Sequence, residues 1–276
     1  MKKSKILAGA LTAAAAACGF DRRLEVTSYE ISSPKIPKSF DKFKIVHISD
    51  YHNDSVLGVS EKIRRICPDI IVMTGDMTHD KHKSYEPAVI LVKRLVKIAP
   101  CFMVSGNHDI WRCDYQSYVD ECKNSGAVFL QNESHTLKKD GEEIILSGME
   151  DVFTRTRMKQ AVINYLKLFP PVSKYRILLF HRANALDLIK DRGFDLILSG
   201  HMHGGQIRLP KVGGVASPLS SLAEGGEMFF PKYTGGLYHG EACEMIVNRG
   251  LGNPIPIPRL FNRPEIGVIT LLSEEA

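Results

Sequence analysis

The sequence predicts a mixed α/β domain with layered sheets, and three observations carry that prediction. Compact apolar runs of strand length alternate with segments of helical periodicity through the first 200 residues. Polar, chemistry-bearing residues follow most of these runs at their C-terminal ends, as in open α/β sheets. From Gly204 to Pro264 glycine and proline become dense and short strands with loops take over, which argues against a helical bundle.

The elements follow in order. Residues 24–31 (LEVTSYEI) alternate as a half-buried strand, and residues 32–40, with Pro34 and Pro37, form a rigid connector. Residues 43–49 (FKIVHIS) are a compact apolar run typical of a buried strand. Residues 61–66 read as a helix that stops before Pro68, and residues 69–75 (DIIVMTG) as the second buried strand. Val89, Ile90, Val92, Leu95, Val96 and Ile98 recur at helical spacing, so residues 86–98 form a helix. A strand at 101–106 and a helix at 114–123 come next. Short strands are expected at 128–130, 135–138 and 143–146, with Asp140-Gly141 as a hairpin turn between the last two. Residues 158–168 are helical, and strands at 176–180 and 195–198 flank a helix at 185–190. One strand at 266–272 closes the chain. No internal repeat is present and no domain boundary falls after about residue 40.

Composition bounds the function classes. The net charge of +5 is spread over the whole chain, with no dense basic stripe, so nucleic acid is disfavoured as a partner. The six cysteines, at 18, 67, 101, 113, 122 and 243, show neither CxxC nor zinc-finger spacing, which excludes a small disulfide-framed fold. Cys67, Cys101 and Cys243 lie in or beside apolar runs and are expected to act as small hydrophobes. Cys113 and Cys122 flank a predicted helix, and a disulfide between them has no further support.

Lys2, Lys3 and Lys5 precede an uncharged, alanine-rich stretch from Ile6 to Phe20. A basic region before an apolar one describes a signal peptide, or a short membrane anchor, over residues 1–23. The stretch is shorter than the roughly 20 residues that span a bilayer comfortably. Ala15-Ala16-Ala17-Cys18 loosely resembles a lipoprotein box. Residues 24–276 then form a single domain, expected to be monomeric and membrane-associated. The lysines favour the extracytoplasmic face, while Arg22 and Arg23 weaken that inference and leave a cytoplasmic location open.

The residues that carry chemistry cluster at strand ends. Asp50 and His52 follow FKIVHIS, and Asp76 follows IIVMTG. Asn107, His108 and Asp109 follow FMVSG, His181 follows RILLF, and His201 and His203 follow DLILSG. Carboxylates, imidazoles and one amide, with no thiolate, suit a divalent ion such as Mn, Fe or Zn. Seven donors are too many for one tetrahedral site and suit two metals sharing a carboxylate. Two ions about 3.5–4 Å apart can generate a hydroxide nucleophile and stabilise both oxygens of an in-line displacement. The reading is metal-assisted hydrolysis, with phosphate esters as the leading substrate class.

This ordered set resembles the calcineurin-like metallophosphoesterase superfamily, whose pattern runs D-x-H, G-D, G-N-H-[DE], a lone His and G-H-x-H. Residues 200–210 (GHMHGGQIRLP) and 248–271 (NRGLGNPIPIPRLFNRPEIGVITL) resemble its bacterial membrane-associated phosphodiesterase-like subgroup. The resemblance implies two packed mixed β-sheets flanked by helices, a four-layer sandwich. It implies that Asp50, His52 and His203 hold one metal, that Asp76 bridges, and that Asn107, His181 and His201 complete the second. His108 would stabilise or protonate the departing oxygen, and Asp109 would orient His108 by a hydrogen bond. Substrates would be phosphodiesters or pyrophosphates, including lipid-linked ones such as UDP-diacylglucosamine. A nuclease of the same superfamily and a non-catalytic metal-binding membrane protein are the alternatives. The chain departs from the pattern in placing His79 where a second Asp often stands, with Asp80 one position later. Arg182 follows His181 where relatives often have Pro; it is expected at the surface, or else in reach of a substrate phosphate.

Overall fold

The computed structural model describes residues 19–81, 84–152, 158–218 and 227–274. Most of the expected N-terminal leader, residues 1–18, lies outside the described residues. Among the described residues no helix is long and apolar enough to cross a membrane.

Fourteen strands are present among the described residues. They are β1 (Glu25–Ser33), β2 (Lys44–Ile48), β3 (Ile70–Thr74), β4 (Cys101–Val104), β5 (Val128–Phe129), β6 (Glu133–Lys139) and β7 (Glu142–Met149). They continue with β8 (Arg176–Arg182), β9 (Leu196–Gly200), β10 (Arg208–Leu209), β11 (Gly213–Gly214), β12 (Gly236–His239), β13 (Glu244–Val247) and β14 (Glu265–Ser273). One sheet has the order β1-β14-β2-β3-β4-β5, the other β12-β13-β9-β8-β7-β6, and β10 pairs with β11 in a small hairpin. Within the first sheet β2, β3, β4 and β5 run parallel. Within the second β7, β8, β9 and β13 do. The helices are α1 (Val59–Ile66), α2 (Glu86–Leu95), α3 (Asn107–Ile110), α4 (Tyr115–Asn124) and α5 (Met158–Leu166).

Strand alternation explains why the apolar runs are continuous. Ile45, Val72, Phe102 and Val104 of the first sheet meet Ile144, Ile177, Leu179 and Leu198 of the second in one buried cluster between the sheets. Their neighbours Val46, Ile71, Met73 and Met103 point the other way and pack with Ile63, Val92 and Tyr118 of α1, α2 and α4. Leu178, Phe180 and Ile197 likewise face Val162 of α5 and Leu186. Both faces of the central strands β2, β3, β4, β8 and β9 are therefore dry, and the expected four-layer α/β sandwich is what the chain adopts.

Some local expectations change. The helix expected at 185–190 is a 3-10 segment, Ala183–Leu188. Strands β12 and β13 arise in the Gly-rich third. Cys67 is exposed at the left-handed end of α1 rather than packed as a hydrophobe, and Cys113 and Cys122 are free thiols, one exposed and one buried.

Candidate metal centre

The parallel strands β2, β3, β4, β8 and β9 deliver their C-terminal ends to one edge of the sandwich. Asp50 and His52 follow β2, Asp76 follows β3, Asn107 opens α3 after β4, His181 ends β8, and His201 and His203 follow β9. All seven side chains are buried. Backbone bonds extend the sheet ladder into this edge, with Asp50 N–H donating to Gly75 C=O at 3.0 Å and His52 N–H to Asp76 C=O at 3.0 Å. Two glycines permit the crowding. A Cβ on Gly106 would lie 2.2 Å from Asp76 Oδ1, and one on Gly200 would lie 2.4 Å from Asp50 Oδ2.

The donors form two adjoining groups. In the first, His52 Nε2 lies 3.2 Å from His203 Nε2 and 3.8 Å from Asp50 Oδ1, and His203 Nε2 lies 3.4 Å from Asp50 Oδ1. In the second, His181 Nε2 lies 3.2 Å from Asp76 Oδ2 and 3.1 Å from His201 Nδ1. Bonds of about 2.0–2.2 Å to one ion place ligand atoms about 3.0–3.5 Å apart, so these spacings suit coordination. Facing ring nitrogens at such distances repel through their lone pairs unless a proton or cation lies between them. His181 Nδ1–H donates to Thr74 C=O at 2.7 Å, so Nε2 faces Asp76 and is the nitrogen that would offer its electron pair to a cation once its proton is lost. The Asn107 amide is fully buried, and among the described residues neither Oδ1 nor Nδ2 has a hydrogen-bond partner. These residues fit divalent cations.

Burial and charge act strongly here. Burial pushes Asp50 up to about 6 and Asp109 up to about 6. It holds His52, His201 and His203 well below the ordinary imidazole range. For His181 burial also opposes charge, but Asp76, Asp50 and Asp151 more than offset it and raise the group to about 10. A buried imidazolium thus balances the carboxylates when no metal does.

The expected Asp109–His108 contact is not formed. Asp109 instead accepts Thr78 N–H and Thr78 Oγ1–H, both at 2.9 Å, and Gly106 N–H at 2.9 Å, so both its oxygens are committed to the loops after β3 and β4. Asp80 takes the position, accepting His108 Nδ1–H at 2.5 Å. Burial opposes charge on His108, and Asp76 and Asp80 together raise it above its ordinary value. His79 is buried with its ring 4.4 Å from that of His108 and 5.5 Å from that of His52. Arg182 is neither at the surface nor available to substrate; it is fully buried and its Nε donates to both oxygens of Asp151 at 2.8 Å.

The C-terminal segment closes over the site. Leu251 N–H donates to Ser49 C=O and Gly252 N–H to Asp50 C=O, while Asn262 Nδ2–H donates to His203 C=O at 2.7 Å. Buried Arg259 places Nη2 3.3 Å from His203 Nδ1. Burial lowers Arg259 to about 10 against the pull of Asp50. No local motif marks Asp151 in the sequence, and the 248–271 segment that holds Arg259 and Asn262 gave neither of them a role. Asp80 had a signal, an acidic residue four positions after Asp76.

A two-sheet α/β sandwich with paired Asp/His donor groups at one edge is the architecture of a metallohydrolase. The calcineurin-like phosphoesterase family model matches residues 43–205, and the chain belongs to that family of hydrolases. The chain is 32% identical to the uncharacterized metallophosphoesterase YkuE of Bacillus subtilis over 97% of this chain and 94% of that one. It is 26% identical to the phosphodiesterase YaeI of Escherichia coli, covering 83% and 82% of the two chains. It is also 27% identical to the UDP-2,3-diacylglucosamine pyrophosphatase LpxG of Chlamydia muridarum, covering 87% and 88%.

Proposed function

We propose that the chain hydrolyses phosphodiester or pyrophosphate bonds at a centre of two divalent cations. Asp50, His52 and His203 hold one cation, Asn107, His181 and His201 the other, and Asp76 is shared. The observation that carries this reading is the placement of Asp76. Its Oδ2 lies 3.2 Å from His181 Nε2 in one donor group and 3.7 Å from His52 Nε2 in the other.

Bound cations would supply Lewis acidity and lower the pKa of a water that attacks phosphorus. The protein's own residues do the rest. His108 stands beside this edge with Nδ1 tied to Asp80, so its Nε2–H can be passed to the departing oxygen. Asp109 keeps the loops after β3 and β4 locked together, which fixes Asp76 relative to Asn107 and His108. Arg182 and Asp151 brace the end of β8 and with it His181.

The names of two relatives, a phosphodiesterase and a pyrophosphatase acting on a diacylated nucleotide sugar, support diester or pyrophosphate substrates carried on lipid. Residues 1–23 would hold the domain at a membrane, with the site on the extracytoplasmic side. The testing experiment is hydrolysis of bis-p-nitrophenyl phosphate with and without Mn²⁺, beside Asp76→Asn and His108→Ala. The expected result is Mn-dependent turnover, abolished by Asp76→Asn and reduced about 100-fold or more by His108→Ala. A folded, metal-loaded chain without turnover on diesters or pyrophosphates would overturn the reading.

A further inference from the structure

The β10–β11 hairpin and the loops beside it expose an unusual amount of large apolar surface. Leu209 and Val212 at the hairpin are 42% and 62% exposed, Phe229 and Phe230 are 64% and 55% exposed, and Phe20 and Phe261 are 53% and 42% exposed. These residues belong to one connected layer. Residues 228–230 pair with 215–217, Phe230 N–H donating to Val215 C=O at 2.8 Å and Ala216 bridging Phe229. Arg208 N–H donates to Leu260 C=O at 2.9 Å, and Phe261 lines a cavity of about 420 Å³ together with Leu209, Lys211 and Val212. Phe261 N–H in turn donates to Gly19 C=O at 2.7 Å, which brings Phe20 to the same place.

We infer that this layer is an interfacial docking face that seats on a lipid surface carrying anionic headgroups. Single exposed apolar residues are ordinary, but a run of neighbouring aliphatic and aromatic side chains marks an interaction surface. Its occupant follows from the chain that enters it. The chain meets this layer at Gly19 and Phe20, and the sequence before them, apolar from Ile6 and preceded by Lys2, Lys3 and Lys5, is that of the membrane leader proposed above. The rim at the hairpin is cationic. Arg208 and Lys211 line the cavity with no acidic residue among its lining, while Arg22, Arg23 and Arg263 are paired with Asp54 and Asp21. Bases around apolar side chains match the headgroup boundary of an anionic leaflet.

The hairpin is also built to insert without reordering. Val212 N–H donates to Leu209 C=O at 3.1 Å, closing a tight turn with Pro210 and a left-handed Lys211 at its centre. Phe230 and Phe261 hold left-handed backbone too, a cost that an exposed aromatic ring does not offset in water. The hairpin is tied to the turn that carries His203, through Arg208 Nη1–H to Gly204 C=O at 3.2 Å and Val215 N–H to Gly205 C=O at 3.2 Å. Docking therefore sets the candidate metal centre beside the lipid surface. The lipid occupant rests on the leader reading proposed above, and its use on lipid-borne phosphoesters rests on the proposed hydrolysis.

The test is hydrogen exchange of the full chain with vesicles of phosphatidylcholine and phosphatidylglycerol, compared with phosphatidylcholine alone and with no lipid. Exchange is expected to slow at residues 207–217, 227–231 and 255–262 only with the anionic vesicles, and to stay unchanged at 86–98 and 133–139. The double variant Leu209→Asp/Val212→Asp, melting with the parent, should lose that protection and bind vesicles about threefold or more weakly. Vesicle binding with slowed exchange confined to residues 1–23 would overturn the docking face in favour of an anchor alone. Lipid-independent protection that grows with protein concentration would overturn it in favour of a second copy. Docking by a folded, metal-loaded chain that hydrolyses neither diesters nor pyrophosphates would uphold the face and remove the substrate reading proposed above.

Discussion

Asp80 accepts the Nδ1 proton of His108, and a carboxylate there favours the charged imidazole. A charged acid raised above 6.5 is fully present at low pH and is lost as pH rises through its elevated value. Asp80→Asn lowers that value, so the alkaline limb of the pH–rate profile should move to lower pH and the maximal rate fall about tenfold. An unmoved limb would show that Asp80 only packs. Asp109→Ala should act differently. It strands two buried N–H groups and a hydroxyl, so it should cost about 2–4 kcal/mol in denaturant unfolding and leave the alkaline limb in place. The family resemblance pointed to Asp109 as the partner of His108; α3 turns it away toward Gly106 and Thr78. That the candidate donors gather at one edge was legible, since each lies at or just past the end of a buried strand. Invisible in the sequence is their backbone: Asp50, His52, Asp76, His201 and His203, five of the seven, have positive φ. Such conformations cost about 1–2 kcal/mol each in non-glycine residues, and they concentrate where chemistry fixes the geometry.

Strands meet at this edge only because their ends approach to within an atom's width. Gly200 closes β9 against the end of β2, and a Cβ there would lie 2.0 Å from Ser49 Oγ as well as 2.4 Å from Asp50 Oδ2. Gly200→Ala should therefore push β9 and its His201–His203 turn away from Asp50. The expected outcome is a metal affinity at least about tenfold weaker by titration, with a lower melting temperature. Unchanged affinity would show that the edge has slack. The strands that build the edge were legible because both their faces are dry, giving short uninterrupted apolar runs such as IIVMT in β3. Strands β12 and β13 were not. Glycines and loop residues flank GLYH and EMIV, and β13 acquires its place only by parallel pairing with β9. The 3-10 turn at Ala183–Leu188 carries apolar residues much as a helix would, and packing against α5 rather than periodicity sets its form.

At the scale of the whole molecule, the buried charges tie metal binding to folding. Without metal, His181 is the imidazolium that balances Asp76, and its raised value of about 10 means that this stabilisation is fully present below about 6.5. It is lost progressively as pH climbs toward 10, because the folded state alone still holds the proton. The metal-stripped chain should thus melt at falling temperature from pH 7 to 9. A cation takes the place of that proton, so the loaded chain should show a flatter profile and a higher melting temperature throughout. Free metal at 100 times its dissociation constant adds about 2.7 kcal/mol by mass action alone. Loading at pH 7.5 must then expel the His181 proton. Titration calorimetry in buffers of different ionisation enthalpy should report about one proton released as the Asp76–His181–His201 group fills. Parallel melting profiles for stripped and loaded protein, with no proton release, would mean that His181 is already neutral and that another group balances Asp76.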